Sequence, residues 1–325
     1  MLNLQQTFFR FTKIKRPKTI NLFECFAGVG TTRMALCNLY GENNIKSLGI
    51  SEIKKSAITA YTDIWGADNN LGDITKIEKL PNNIDILTWS FPCQDLSCAG
   101  VGKGIIKGET RSGLGFEIPR IIRQTDIKPK ILLMENVPQV AKDNQFYDIK
   151  TELSALGYSH SPLIRLTGVD VGIPQLRKRC FMVSILHNPD ISNLDIEKPY
   201  IKRDELDFRN CVENSVSARY YVKLELLTTM VFTPFDQTRE YRLIPKDRKI
   251  CAAICESDKK QNVKVFVDST GNARQMTERE YWRLMGIADK YFDRLKNKTD
   301  KELYGLAGDA IIVQCMELIW KNIFL

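Results

Sequence analysis

Histidine is almost missing from this chain of 325 residues: only His160 and His187 occur. That scarcity argues against Ser-His-Asp chemistry and binuclear metal hydrolysis. No Cys-x-x-Cys pair occurs among the nine cysteines, and the closest pair, Cys251 and Cys255, has helical spacing. A structural zinc is therefore not expected. The cysteines are odd in number and scattered from Cys25 to Cys315, as unpaired thiols in a reducing compartment are. No apolar run reaches the roughly 18 residues of a membrane span, so none is expected. The start carries Arg10, Lys13, Lys15, Arg16 and Lys18 without an apolar stretch, so it does not read as a secretory signal. The cytoplasm is the default location. What is left for catalysis is cysteine, carboxylate and arginine.

Composition is that of a globular protein, with 43% hydrophobic and 26% charged residues. A net charge of +8 permits a polyanionic partner without establishing one. In the first half, short apolar runs alternate with helical patterns. Strands are expected at 19–23, 47–50, 84–89, 131–134 and 180–186, and helices at 32–39, 54–65, 114–123 and 146–156. This alternation predicts an α/β fold with a doubly wound parallel sheet, whose ligands sit beyond the carboxyl ends of the strands. Composition then shifts. From Asp190 to Asn272 there is no glycine before Gly271, and 14 basic residues balance 14 acidic ones. We read 190–272 as a small separate module, with 1–189 and 273–325 forming the large domain. Helices resume at 276–284 and 310–325.

Phe26-Ala27-Gly28-Val29-Gly30 links the first strand to the first helix. Glycine permits a tight turn and close approach of a ligand to the backbone, and the helix amino end favours negative groups. The third glycine of a dinucleotide fingerprint is replaced by Arg33. Alone, this turn serves equally as a plain strand-to-helix connection. Glu52, past the second strand, can accept hydrogen bonds from ribose hydroxyls. Asp73 can accept from an adenine amine, with Ile74 against the ring. An acid at a strand end is also often a cap. The ordered series favours an adenosine-bearing cofactor.

Ser90-Phe91-Pro92-Cys93-Gln94-Asp95 follows the third strand. Cys93 thus falls in a polar turn at a strand's carboxyl end, which suits a reactive thiol better than a core filler. Gly100, Gly102, Gly104, Gly108, Gly113 and Gly115 follow, beside Lys103, Lys107 and Arg111. We expect a mobile loop that closes on a polyanion. A plain surface loop is the competing reading. Glu135-Asn136-Val137 ends the fourth strand. In Gln175-Leu176-Arg177-Lys178-Arg179 the two arginines lie two apart, so an extended segment would point them the same way. The same pair alone reads as surface salt-bridge partners.

Together these motifs, with Arg274-Gln275-Met276-Thr277-Glu278-Arg279-Glu280, resemble the C5-type DNA cytosine methyltransferases of bacterial restriction-modification systems. The likeness covers about 20–186 and 271–325. It implies the S-adenosylmethionine-dependent methyltransferase variant of the doubly wound sheet, with a small mixed target recognition domain at 190–272. It implies cytosine-5 methylation of double-stranded DNA at a specific site. Cys93 would add to C6 of a flipped-out cytosine. Glu135 would act at N3 in its protonated form, Arg179 would hold O2, Arg177 would support the loop or the carboxylate, and Asn136 would position Glu135. For the S-adenosylmethionine (product S-adenosylhomocysteine), the likeness marks Phe26, Gly28, Gly30, Glu52, Ile53, Asp73, Ile74, Pro92 and Leu114. Gln94, Ser97, Lys103, Arg111, Arg242 and Arg248 are the expected DNA contacts, the last two in a basic run that reads equally as a solvated strand.

The family's tenth motif, usually Gly-Asn-Ser-Val, is here Gly308-Asp309-Ala310-Ile311. Asp309, Ala310 and Ile311 would line the cofactor without the usual hydroxyl, and with an added negative charge. Weaker cofactor binding is the expectation. The module's usual Thr-Leu pair is replaced by Ala253-Ile254. We expect a monomer with no metal, and a cognate restriction endonuclease is a candidate partner. The competing readings are a tRNA cytosine-5 methyltransferase of the same family and a DNA-binding relative that has lost turnover.

Overall fold

The computed structural model describes residues 10–96, 103–222, 243–256, 258 and 263–325. Seven strands form the central sheet: β1 (Ile20–Cys25), β2 (Ile45–Ser51), β3 (Ile86–Trp89), β4 (Ile131–Asn136), β5 (Tyr158–His160), β6 (Ile164–Leu166) and β8 (Arg179–Leu186). Their order is β2-β1-β3-β4-β8-β5, with β6 also paired to β8. The two-residue β7 (Gln175–Leu176) lies outside this sheet and pairs in parallel with β9 (Cys251–Ala252).

Residues alternate between two cores, as the period of a strand demands. On β4, Ile131 and Leu133 enter one core while Leu132 and Met134 enter the other. On β8, Phe181, Val183 and Ile185 face the first, Cys180 and Met182 the second. Helices α1 (Thr31–Tyr40) and α2 (Lys55–Trp65) cover the first face, and α3 (Glu117–Gln124) and α4 (Asn144–Ala155) the second. Both faces are covered, as expected of a doubly wound sheet.

The sheet is mixed, however, where an all-parallel one was expected. β1, β2, β3 and β4 run parallel, but β8 is antiparallel to both β4 and β5. The crossover β4-α4-β5 leaves a gap one strand wide, and β8 enters it from the opposite end. Strand direction is a tertiary property that apolar runs do not encode.

Between 190 and 272 short 3₁₀ turns predominate among the described residues. Ile191, Leu194, Phe208, Ile244, Ile254 and Phe266 pack into the same core as α1. The hairpin of β10 (Val265–Val267) and β11 (Ala273–Gln275) spans position 272. The chain ends in α5 (Glu278–Leu284), α6 (Asp289–Phe292), α7 (Asp300–Asp309) and α8 (Val313–Ile323). Residues 300–323 are apolar enough to cross a membrane by length and composition, but most of the stretch is buried within the fold and it breaks at 310–312. These are core helices.

Candidate active site

The register of β3 on β4 pairs Trp89 with Met134, so the segments leaving both strands emerge side by side. Asn136 Nδ2 donates to the Phe91 carbonyl at 3.0 Å, and Asn136 Oδ1 accepts from Val137 N at 2.8 Å. This amide bridges the turn bearing Cys93 to the strand end bearing Glu135. Glu135, 8% exposed, is ion-paired with Arg179, Nε to Oε1 being 2.9 Å. Partial burial pushes the Cys93 thiol up; the Arg179 charge is the largest opposing influence, Glu135 adds to the rise, and Arg177 opposes it. Thiol, carboxyl and both guanidinium groups are thus electrostatic neighbours.

The two arginines do not share one environment. Arg177 is 4% exposed and donates to the carbonyls of Ile254 at 2.8 Å, Gly308 at 3.0 Å and Ala310 at 2.9 Å. Burial lowers its pKa to about 10. It supports neither the glycine loop nor a carboxylate through these bonds; it ties the inserted segment to the turn after α7. Regular strand geometry stops at Leu176 and resumes at Arg179; Arg177 is fixed by backbone carbonyls and Arg179 by Glu135.

The ends of the glycine loop are anchored. Ser112 Oγ donates to the Pro92 carbonyl at 2.6 Å, Ser112 N to Asp95 Oδ2 at 3.0 Å, and Arg111 Nη1 to Gln94 Oε1 at 2.6 Å. Ile105 N donates to Asp143 Oδ2 at 2.9 Å. Lys103 is exposed beside this frame. Ser97 and Arg242 lie outside the described residues, as does loop segment 97–102. Arg248 is exposed on the inserted segment.

At the first strand, Phe26, Gly28 and Gly30 all take positive φ, at 57°, 57° and 78°. Phe26 is strained there and its N–H donates to Ser51 O at 2.7 Å. A Cβ on Gly30 would meet Trp65 Nε1 at 2.6 Å, whereas one on Gly28 would meet nothing within 4 Å. Glu52 accepts from Gly28 N at 2.9 Å, Ile53 N at 2.9 Å and Lys54 N at 2.8 Å. Ile53 is 70% exposed, an aliphatic surface of the kind a flat ring covers. Asp73 Oδ1 accepts from Thr75 N and Oγ1, which holds its pKa low and makes it a cap. Ile74 is buried in the core rather than open to a ligand. Pro92 and Leu114 are half-buried. The open cradle at Gly28 beside Glu52 and bare Ile53 fits an adenosine-type group.

Two features escaped the sequence reading. Lys54 Nζ is ion-paired with Asp309 and lies 3.4 Å from Glu256 Oε1, so Asp309 has a cation partner. Ala310 and Ile311 are buried beside it. Under the glycine turn, Glu24 accepts from Tyr61 OH at 2.9 Å, and burial raises its pKa to about 7. Arg33, standing where a third glycine would, joins this cluster through Tyr61 OH at 3.1 Å and Asp68 at 3.0 Å. Its partner spacing gave no local sequence signal.

The fold is shared with solved methyltransferases. The Entamoeba histolytica methyltransferase EhMeth superposes with a TM-score of 0.77 at 18% identity, over 94% of this chain and 98% of that one. The S. pombe Dnmt2 methyltransferase gives 0.72 at 20%, over 93% and 98%. The shared architecture is an α/β methyltransferase fold. Sequence narrows the class: residues 20–325 match the model of the C-5 cytosine-specific DNA methylases. The type II methyltransferase M2.ScrFI of Lactococcus lactis subsp. cremoris is 34% identical over 294 residues, 87% of this chain and 77% of that protein. M.HpaII of Haemophilus parainfluenzae is 28% identical over 92% of this chain and 88% of its own. The chain belongs to the C-5 cytosine-specific DNA methylase family and is a DNA (cytosine-5)-methyltransferase.

Proposed function

We propose that the enzyme methylates C5 of a cytosine swung out of a specific duplex DNA site, using Cys93 as a covalent nucleophile. The observation that carries this reading is the Glu135–Arg179 pair set beside a thiol on which both act electrostatically. Cytosine C5 is a poor nucleophile. Addition of the Cys93 thiolate at C6 converts the C5=C6 bond into an enamine. Glu135, protonated once the base has entered, hydrogen-bonds N3 as that charge develops, while Arg179, its ion-pair partner in the free enzyme, holds O2. Asn136 holds the two strand ends in register for this step. Loss of the C5 proton and expulsion of Cys93 restore the ring. Because a stacked base exposes neither face, the nucleotide must leave the helix, and the anchored glycine loop is the element to close on it.

S-adenosylmethionine, when bound, supplies the electrophilic methyl group. Phe26, Gly28, Gly30, Glu52 and Ile53 would hold its nucleoside part, with Asp73 at the adenine edge. The segment 190–272 serves as the target recognition domain in this reading. Tied to the large domain through Arg177 and Ile254, it acts as part of a monomer, alongside a cognate endonuclease where one exists. Transfer of tritiated methyl groups to duplex DNA and to tRNA, side by side, tests the substrate. Label in DNA alone supports this reading; label in tRNA alone replaces it with the RNA alternative.

A further inference from the structure

Beside the catalytic pair, and sharing Arg179 with it, lies a recess of about 330 Å³. Its floor includes Pro138 and Leu166, and Lys142, Arg165, Lys178 and Arg179 stand around it. Among the described residues, no acidic side chain lines it. On β6, Ile164 and Leu166 turn inward, so Arg165 is left outward. Arg177 is buried and Lys178 is exposed. Leu166 pairs with Arg179 across β6 and β8, so both strands reach the recess at this end, and Arg165 and Arg179 both line it. Of the four, Arg179 has Glu135 as its carboxylate; Lys142, Arg165 and Lys178 are exposed and form no ion pair among the described residues.

Like charges gathered in one concavity repel each other unless an anion offsets them. We propose that this recess seats phosphodiester groups of the DNA strand whose cytosine enters beside Cys93. The inference rests on the function proposed above and adds where that strand's backbone lies. Arg179 belongs both to the recess and to the catalytic pair, so a phosphate seated here is fixed next to the reacting base. Such contacts set register and orientation without reading sequence. Lys142, Arg165 and Lys178 are therefore positioning residues for the substrate backbone.

The test uses the full chain with Lys142→Ala, Arg165→Ala and Lys178→Ala, singly and combined, and leaves Arg179 intact. Duplex binding is followed by fluorescence anisotropy across a salt series, and S-adenosylmethionine binding by calorimetry. Removing each phosphate-binding cation should lower the slope of log affinity against log salt by about 0.9 and weaken cognate and unrelated duplexes alike. The cofactor dissociation constant should stay unchanged, which also shows that the variants fold. If one does not fold, Lys178→Gln and Arg165→Gln replace it. A combined variant with wild-type duplex affinity and salt slope overturns the proposal. Anisotropy decides the recess and methyl transfer decides the reaction, so either can fail alone.

Discussion

Arg179 Nε sits 2.9 Å from Glu135 Oε1, and the same guanidinium is the largest influence opposing the burial that raises the Cys93 thiol. One side chain therefore serves both the acid and the nucleophile. With its pKa raised, Cys93 is mainly a thiol near neutral pH, and the reactive thiolate fraction grows as pH rises.

The rate of Cys93 alkylation by iodoacetamide should accordingly climb from pH 7 toward pH 9. Arg179→Ala removes the cation that favours the thiolate, so its titration should move to higher pH. Mass spectrometry of the Cys93 peptide reads the rate. A titration that stays in place or moves down in this variant contradicts the electrostatic assignment.

Lys54 and Asp309 join the loop after β2 to the turn after α7. The added charge of Asp309 was expected to weaken cofactor binding, but here it anchors the lysine that follows Glu52 and Ile53. Lys54→Met should raise the cofactor dissociation constant up to about fivefold, the scale of a partly exposed ion pair. Asp309→Asn should weaken binding similarly, and high salt should narrow both differences. Calorimetry checks this; tighter binding by Asp309→Asn would mean the charge is a burden after all.

Arg177 satisfies three carbonyls from two segments distant in sequence. Arg177→Met keeps the bulk and leaves those acceptors unpaired. We expect a loss of about 3 kcal/mol, from roughly 1 kcal/mol or more per orphaned buried group. Thermal unfolding measures it. Arg177→Lys should recover only part, since an ammonium cannot match a planar fork. Stability unchanged in Arg177→Met would remove the strut.

Much of this was legible in the chain. The apolar runs located β1, β2, β3, β4 and β8, because strands such as β4 and β8 alternate between two cores and are apolar on both sides. Cys93 and Glu135 stood out as chemistry-bearing residues at strand ends. The antiparallel direction of β8 was not legible, since the same residues fill either orientation. Nor was the burial of Arg177 against the carbonyls of Ile254, Gly308 and Ala310, which lie 77, 131 and 133 positions away. Lys54 read as an ordinary helix-start residue because its partner lies 255 positions away. Ile74 read as a ligand contact from its place after Asp73, yet the core claimed it.

The most direct measurement is trapping on duplex DNA carrying 5-fluorocytosine at the target position, in the presence of S-adenosylmethionine. Fluorine at C5 cannot leave as a proton, so the enzyme should remain bonded to the base, and peptide mapping should place that bond on Cys93. Cys93→Ser should bind the same duplex and form no adduct. An adduct at another residue, or label transferred by Cys93→Ser at the wild-type rate, would contradict the account.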